Sequence, residues 1–170
     1  MIQIRPEQRE DIPGIRRVLL DAFPSSAEAD LVDNLRERAA GCVSLVAEQA
    51  SEIVGHILFS PVTLKETPVD LKMAGLAPMA VLASQQNKGI GSQLVEAGLQ
   101  ACRQHGYELV VVLGHPEYYP RFGFKPSVDL GLKSEYDVPA EVFMAQHLNE
   151  QETPHLAGTI VYHACFQELE

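Results

Sequence analysis

The sequence has no tryptophan, only three cysteines and no excess of positive charge. Three scattered cysteines are too few for a disulfide framework or a cysteine-based zinc site. A net charge of −10 argues against nucleic-acid binding, because a basic face supplies most of the affinity for phosphate backbones. The longest apolar run, 74–83, contains Gly75 and Pro78 and is far shorter than the roughly 18 residues that a transmembrane helix requires. We therefore expect neither nucleic acid nor a membrane as a partner.

No targeting segment is visible at the start of the chain, which is charged from Arg5 onward and has no apolar signal-peptide core. We expect a reduced, cytoplasmic protein. Its 170 residues, of which 46% are apolar, suit one domain spanning 1–170 with a substantial core. The histidines show no metal-binding spacing, so no metal is expected.

Hydrophobic periodicity predicts a mixed α/β fold. Alternating or continuous apolar residues indicate strands, and apolar residues at helical spacing indicate helices. The predicted strands cover 2–5, 42–48, 52–64, 71–82, 108–113, 122–127, 141–148 and 159–166, and the predicted helices cover 12–23, 26–41, 89–105 and 117–121. The order strand, helix, strand over 76–113 predicts a βαβ unit, whose two strands are parallel within a partly antiparallel sheet.

A glycine-containing turn between a predicted strand and a predicted helix is the strongest local signal for function. It covers 86–92 and reads Gln-Asn-Lys-Gly-Ile-Gly-Ser. Glycines let the backbone approach a ligand closely, and the free N–H groups of a helix N-terminus attract anions. Lys88 and the hydroxyl of Ser92 could add contacts to phosphate. The segment is neither a P-loop nor a complete dinucleotide fingerprint, so alone it fits an anion site, a nucleotide-binding loop or a plain tight turn.

The uneven distribution of charge favours the anion site. Residues 71–133 carry a net charge of +2, whereas 1–70 and 134–170 carry −5 and −7. The middle third, which contains the glycine turn, is therefore the part whose own field attracts an anion.

Two ordered motifs resemble the GNAT N-acetyltransferase superfamily. The spacing Gln86-x-x-Gly89-x-Gly91 after an apolar strand is similar to its acetyl-CoA signature, Q/R-x-x-G-x-G/A. Further along, segment 113–124 reads LGHPEYYPRFGF and places Tyr119 four residues before a Gly-Phe pair, as a second GNAT pattern does. This phrase resembles the YhbS-like group of bacterial predicted acetyltransferases. The resemblance spans essentially the whole chain.

The resemblance implies a GNAT fold, with a mixed central sheet of about seven strands, flanking helices and a central βαβ unit that holds acetyl-CoA. The backbone of Met79, Ala80 and Val81 would pair with the pantetheine arm, and the amides of 87–92 would hold the pyrophosphate. Tyr119 would protonate the departing CoA thiolate, for which a phenol is a suitable donor at neutral pH. The expected contacts of the turn with acetyl-CoA are Gln86, Asn87, Lys88, Gly89, Ile90, Gly91 and Ser92.

The implied activity is transfer of an acetyl group from acetyl-CoA to a primary amine, expected to be a small molecule, by direct attack. Many members carry an acidic general base on the fourth strand, but segment 72–82 contains no carboxylate. Glu28, His56, Glu117 or a water molecule remain candidates for the base. The missing carboxylate also leaves open a non-catalytic acyl-CoA-binding or sensing module with the same fold.

The acceptor site is expected near residues 12–38 and the late strands, whose surroundings are acidic. A negative field raises the local concentration of cationic amines. Polyamines, amino sugars or lysine-type amines are therefore expected to be better acceptors than acidic amino acids. The resemblance is also compatible with a homodimer.

Overall fold

The computed structural model describes residues 1–66, 70–149 and 156–168, and within them it confirms the mixed α/β fold. The helices are α1 (Ile12–Ala22), α2 (Ala27–Arg38) and α3 (Ile90–Gln104). The strands are β1 (Gln3–Pro6), β2 (Val43–Gln49), β3 (Glu52–Leu64), β4 (Met73–Val81), β5 (Leu109–Leu113), β6 (Lys125–Pro126), β7 (Leu132–Ser134), β8 (Phe143–His147) and β9 (Gly158–Val161). Short 3₁₀ turns occupy several of the connections.

The main sheet has the strand order β1-β2-β3-β4-β5-β8-β6. Its neighbours are antiparallel except β4 and β5, which are parallel and are connected by α3. The expected βαβ unit is therefore confirmed. Two short strands lie off this path: β7 and β9 pair in parallel, and β9 continues onto the end of β3 at Thr63 and Leu64.

The late part of the chain contains less strand than its sequence predicts. The predicted strand 159–166 ends at Val161, because the next N–H, that of Tyr162, donates to the Glu135 carboxylate at 2.6 Å. A 3₁₀ turn, Ala164–Glu168, then replaces the rest of the predicted strand. A side-chain acceptor that is distant in sequence ended this strand, and periodicity does not report such a contact.

Two other short elements also differ from the prediction. The segment 122–127 contributes only β6, since the 3₁₀ turn Tyr119–Phe122 occupies its start and Gly123 follows with a φ of +100°. Strand β7 has three residues, too few to show a period, and it is missing from the sequence prediction.

Helices cover both faces of the main sheet. Helices α1 and α2 pack on one face and α3 packs on the other, each through a stripe of buried apolar side chains. Each fully buried aliphatic side chain contributes about 1.5–3 kcal/mol to the stability of the fold. The stripes consist of Ile15, Val18, Leu19, Leu31, Val32 and Leu35 on one side and Ile90, Leu94, Val95 and Leu99 on the other. Within the described part of the chain, no helix is long and apolar enough to cross a bilayer.

Candidate active site

A gap opens between β4 and β5 where the two strands stop pairing. The parallel pairing extends only to Leu76 opposite Val112, and β4 then carries one extra residue before Met79, which bends it away. On the other edge of β4, the Leu82 N–H donates to a β3 carbonyl at 2.9 Å. Successive residues of a strand direct their backbone groups to opposite edges, so Val81 and Met79 direct theirs into the gap. The gap therefore offers backbone donors and acceptors to a ligand.

The first turn of α3 faces the same space. Gly89 precedes the helix with a φ of +83°, a left-handed conformation that favours glycine, and Asn87 has a φ of +65°. The first intrahelical hydrogen bond is donated by the Gln93 N–H to the Gly89 carbonyl. The N–H groups of 90–92 therefore have no acceptor within the helix. Together with the positive end of the helix dipole, they suit an anion.

These groups line one cleft of about 820 Å³. It contains nine of the ten residues predicted to contact acetyl-CoA: Met79, Ala80, Val81, Gln86, Asn87, Gly89, Ile90, Gly91 and Ser92. The tenth, Lys88, is exposed, lies outside the lining, and places its Nζ 3.4 Å from the Gln85 side chain. The cleft also has walls that the sequence motifs do not indicate, among them Phe23, Gly114, His115 and Arg121.

Tyr119 lines this cleft and is held against the end of β5. Gly114 makes this possible, because a Cβ at that position would overlap the Tyr119 ring. The residue is 8% exposed, and burial, with a smaller contribution from Tyr118, raises the pKa of Tyr119 to about 12. The phenol therefore keeps its proton through neutral pH, which is the state that a proton donor requires.

The neighbouring Tyr118 has a different environment. Its hydroxyl lies 3.2 Å from the Ser92 Oγ in the first turn of α3, and the Arg121 guanidinium lies 4.9 Å from its ring centroid. The rings of Tyr118 and Tyr119 pack edge to face with centroids 5.0 Å apart. Tyr118 therefore forms part of the cleft wall and supports Tyr119.

A second cavity, of about 530 Å³, adjoins the cleft, and Phe23, Met79 and Tyr119 line both. Its remaining walls are mainly aliphatic and aromatic and include Leu31, Leu76, Leu113, Tyr136, Tyr162 and Phe166. Glu28, in the first turn of α2, also lines it. A molecule in the second cavity would lie directly beside a molecule in the cleft, and the Tyr119 side chain would contact both.

Comparison with known proteins gives the family. Residues 3–127 match the family model described as an acetyltransferase (GNAT) domain. The chain belongs to the GNAT acetyltransferase family. It is 35% identical to the uncharacterized N-acetyltransferase YhbS of Escherichia coli (strain K12), over 98% of this chain and 99% of that protein. It is 40% identical to the uncharacterized N-acetyltransferase YjhQ of the same strain, over 84% of this chain and 82% of that protein.

Solved structures confirm that this acyltransferase has the GNAT fold. The crystal structure of YhbS from Escherichia coli in complex with CoA has a TM-score of 0.89 and 34% identity, and covers 98% of this chain and 92% of that chain. A GNAT family acetyltransferase from Brucella melitensis in complex with acetyl-CoA has a TM-score of 0.79 and 34% identity, and covers 98% of each chain. The family predicted from the two sequence motifs is thus confirmed.

The acetyltransferase places its candidate bases in very different surroundings. Glu28 lines the second cavity together with Tyr119, whereas Glu117 is exposed and lines neither the cleft nor that cavity. Within the residues that the structure describes, no group of three His, Cys, Asp or Glu side chains is placed to hold a metal ion.

His56 belongs to a buried polar cluster that lines neither the cleft nor the second cavity. Its Nε2 lies 2.8 Å from the Ser44 Oγ, which in turn lies 2.6 Å from a Glu7 oxygen, and Arg36 donates to the same carboxylate at 2.7 Å. Both short contacts are satisfied when the hydroxyl donates to Glu7 and the Nε2–H donates to the hydroxyl. This position does not suit a base for an amine beside Tyr119.

We expect the free energy of unfolding to fall by about 2 kcal/mol between pH 7 and pH 5, because the buried His56 resists protonation in the folded state. Burial lowers the pKa of His56 from 6.5 to about 4. Below pH 6.5 the unfolded chain therefore binds a proton that the folded chain does not bind until about pH 4, so stability decreases as the pH falls. Burial alone would raise the pKa of Glu7, but hydrogen bonds from Arg36 and Ser44 lower it, so Glu7 contributes only at lower pH.

Urea unfolding at the two pH values tests this expectation. In His56→Gln, the free energy of unfolding should decrease between pH 7 and pH 5 by roughly 2 kcal/mol less than it does in the wild type. This difference does not depend on how stable the variant is at neutral pH. An equal loss in the variant and the wild type would contradict it.

Proposed function

We propose that this chain transfers the acetyl group of acetyl-CoA to the primary amine of a small molecule. The observation that carries the proposal is the meeting of the cleft and the second cavity at Tyr119. One side offers backbone groups to an acyl-CoA, the other offers a mainly apolar cavity to an acceptor, and the protonated phenol of Tyr119 lines both. The two relatives whose crystal structures hold CoA and acetyl-CoA support the identity of the first ligand.

The groups of the cleft match the chemistry of acetyl-CoA. The backbone groups of Met79 and Val81 would pair with the amides of the pantetheine arm as a neighbouring strand would. The Val81 carbonyl also accepts a hydrogen bond of 3.1 Å from the Gln86 side chain, which fixes the turn beside it. The N–H groups of 90–92 would bind the pyrophosphate. Lys88, outside the lining, would add positive charge near the turn without direct contact.

The reaction would be direct, from thioester to amine. Acetyl-CoA supplies a thioester whose carbonyl carbon accepts the amine nitrogen, and the carbon–sulfur bond breaks as the carbon–nitrogen bond forms. The attacking nitrogen would release one proton to solvent, Tyr119 would protonate the departing sulfur, and the phenolate would then regain a proton from solvent. The chain's larger contribution would be positional, since the cleft and the second cavity hold the two reactants side by side.

The environment of the cysteines supports direct attack. None of the three lines the cleft or the second cavity. Burial raises the pKa of Cys102 to about 12 and that of Cys42 to about 11, so these thiols stay protonated and are poor nucleophiles at neutral pH. An acyl-enzyme on cysteine therefore has no support.

Thermal unfolding and thiol release together test the proposed function. Acetyl-CoA and CoA should raise Tm, ATP should not compete with them, and acetyl-CoA with a suitable amine should release CoA thiol and form an N-acetyl product detectable by mass spectrometry. Stabilisation without thiol release across a broad amine panel would favour the acyl-CoA sensor. Stabilisation by ATP, in competition with CoA, would favour a nucleotide-binding loop.

A further inference from the structure

Among the described residues that line the second cavity, Glu28 is the only charged one, and the others are mainly aliphatic or aromatic, with three tyrosines among them. Its Oε1 is buried and has no hydrogen-bond partner among the described residues. No lysine, arginine or histidine is among the described residues that line the second cavity. Buried polar atoms nearly always have a partner, and a buried carboxylate oxygen without one is costly. A ligand that donates hydrogen bonds and carries positive charge would satisfy this atom.

Another part of the cavity wall is built from packed aromatic rings. The centroids of Tyr136 and Tyr162 lie 5.9 Å apart, and those of Tyr162 and Phe166 lie 5.0 Å apart. The Tyr162 ring also lies over the backbone of β4, where a Cβ on Gly75 would come within 2.6 Å of it. These contacts hold the rings in place. The wall therefore offers a preformed apolar surface to a ligand.

We propose that the second cavity binds a primary amine with one positive charge and an apolar or aromatic body, and that Glu28 binds its ammonium group. The inference rests on the proposed acetyl transfer and names the acceptor class. An ammonium donating to Glu28 Oε1 would leave the body of the molecule against the aliphatic and aromatic walls. Because the cavity adjoins the cleft at Phe23, Met79 and Tyr119, the bound amine would lie beside the thioester. The bound ammonium would release a proton to solvent before its nitrogen attacks, since a protonated amine has no free electron pair.

The same walls disfavour most of the cationic acceptors that the acidic sequence suggests. The second charge of a polyamine or the carboxylate of an amino acid would find no charged partner besides Glu28 among the described lining residues, and the several hydroxyls of an amino sugar would lie against mainly aliphatic and aromatic walls. An amino-acid carboxylate would in addition be repelled by Glu28. We therefore expect the charge of Glu28, and not the overall acidity of the chain, to determine which amines bind.

A binding experiment on the CoA-loaded protein tests the acceptor class without requiring turnover. Three probes share one aromatic body: 2-phenylethylamine, its neutral analogue 2-phenylethanol, and phenylalanine, which adds a carboxylate. Spermidine serves as a polyamine. We expect 2-phenylethylamine to raise Tm further than any of the other three at equal concentration. Equal or larger shifts with phenylalanine or spermidine, or no shift with 2-phenylethylamine, would overturn the inference.

The Glu28→Gln variant tests the role of the charge. With 2-phenylethylamine, KM should rise at least about tenfold while kcat changes less, because the hydrogen bond from the ammonium group would have a neutral acceptor in place of a charged one. The variant should bind the amine no better than 2-phenylethanol. Glu28→Asp, which keeps the charge on a shorter side chain, should recover part of the affinity. Glu37→Gln, the same change on the exposed face of α2, should match the wild type.

The readouts separate this inference from the proposed function. Loss of CoA stabilisation in the wild type, or no thiol release with any amine, would count against acetyl transfer itself. A wild type that binds CoA and acetylates amines, combined with an unchanged KM in Glu28→Gln, would overturn only the assignment of Glu28. CoA should stabilise Glu28→Gln as much as the wild type, which shows that the variant is folded.

Discussion

Gly91→Glu should abolish the thermal stabilisation by acetyl-CoA while the unliganded protein remains folded. A Cβ at position 91 would lie 3.3 Å from the Tyr118 hydroxyl and 3.6 Å from the Met79 methyl, so the new side chain would extend into the cleft. Its carboxylate would stand where the proposed pyrophosphate meets the first turn of α3. Repulsion between charges a few ångströms apart near a protein surface predicts a loss of affinity of roughly 10²-fold or more.

The fold should tolerate this change. Gly91 lies within α3 and its φ is not positive, so another residue can adopt its backbone conformation. Glycine has a low helix propensity, and most residues, including glutamate, have a higher one. Gln100→Glu adds the same charge on the exposed side of the same helix and should keep the affinity of the wild type. Calorimetric titration with CoA measures both variants. Wild-type affinity in a folded Gly91→Glu protein would remove the turn from the binding site.

Tyr119→Phe should keep CoA affinity and lower turnover by about 10²-fold, the range that general acid catalysis commonly supplies. The substitution removes only the phenolic hydroxyl, so ground-state packing against Gly114 is retained. Because burial raises the pKa of Tyr119 to about 12, the wild type should lose no activity through ionisation of this group below about pH 10. Single-turnover rates at saturating acetyl-CoA measure the chemical step itself.

Tyr118→Phe is the matched control. It removes a hydroxyl from the adjacent ring, but that hydroxyl contacts Ser92 and Tyr118 does not line the second cavity. Its turnover should stay close to that of the wild type. Equal single-turnover rates for Tyr119→Phe and the wild type would instead give the Tyr119 hydroxyl a purely structural role.

The cleft could be predicted from the sequence because its key residues are close together in the chain. The turn 86–92 carries its glycines at fixed spacing, and the requirement for a left-handed residue at Gly89 is local. Tyr119 could be predicted only from the resemblance, because neither hydrophobic periodicity nor composition distinguishes it from Tyr118. Gly114 was missed because its importance depends on a ring five residues away that folds back onto it.

The sequence predicts an acceptor site near 12–38 and the late strands, but it does not predict which side chains form the walls of the second cavity. Its walls come from Phe23 directly after α1, from α2, β4, the end of β5 and Tyr119, and from the late part of the chain, and they meet only in three dimensions. Tyr162 would face differently if the predicted strand 159–166 continued, but the bond from its N–H to Glu135 ends that strand. The sequence names Glu28 only as one of several candidate bases, and its place in the cavity and the missing partner of its Oε1 distinguish it from the others.

The extra residue in β4 turns backbone groups, and not side chains, toward the proposed acetyl-CoA site, which affects how the two sites respond to mutation. The N–H and C=O groups of Met79 and Val81 exist whatever side chains these positions carry, so most substitutions would leave the proposed pantetheine contacts intact. The second cavity, in contrast, is bounded by side chains such as Leu31, Val138 and Phe166, each of which one codon change can replace. If the two proposed sites are as described, substitutions would change acceptor preference stepwise through a lineage in which the proposed acetyl-CoA contacts are kept.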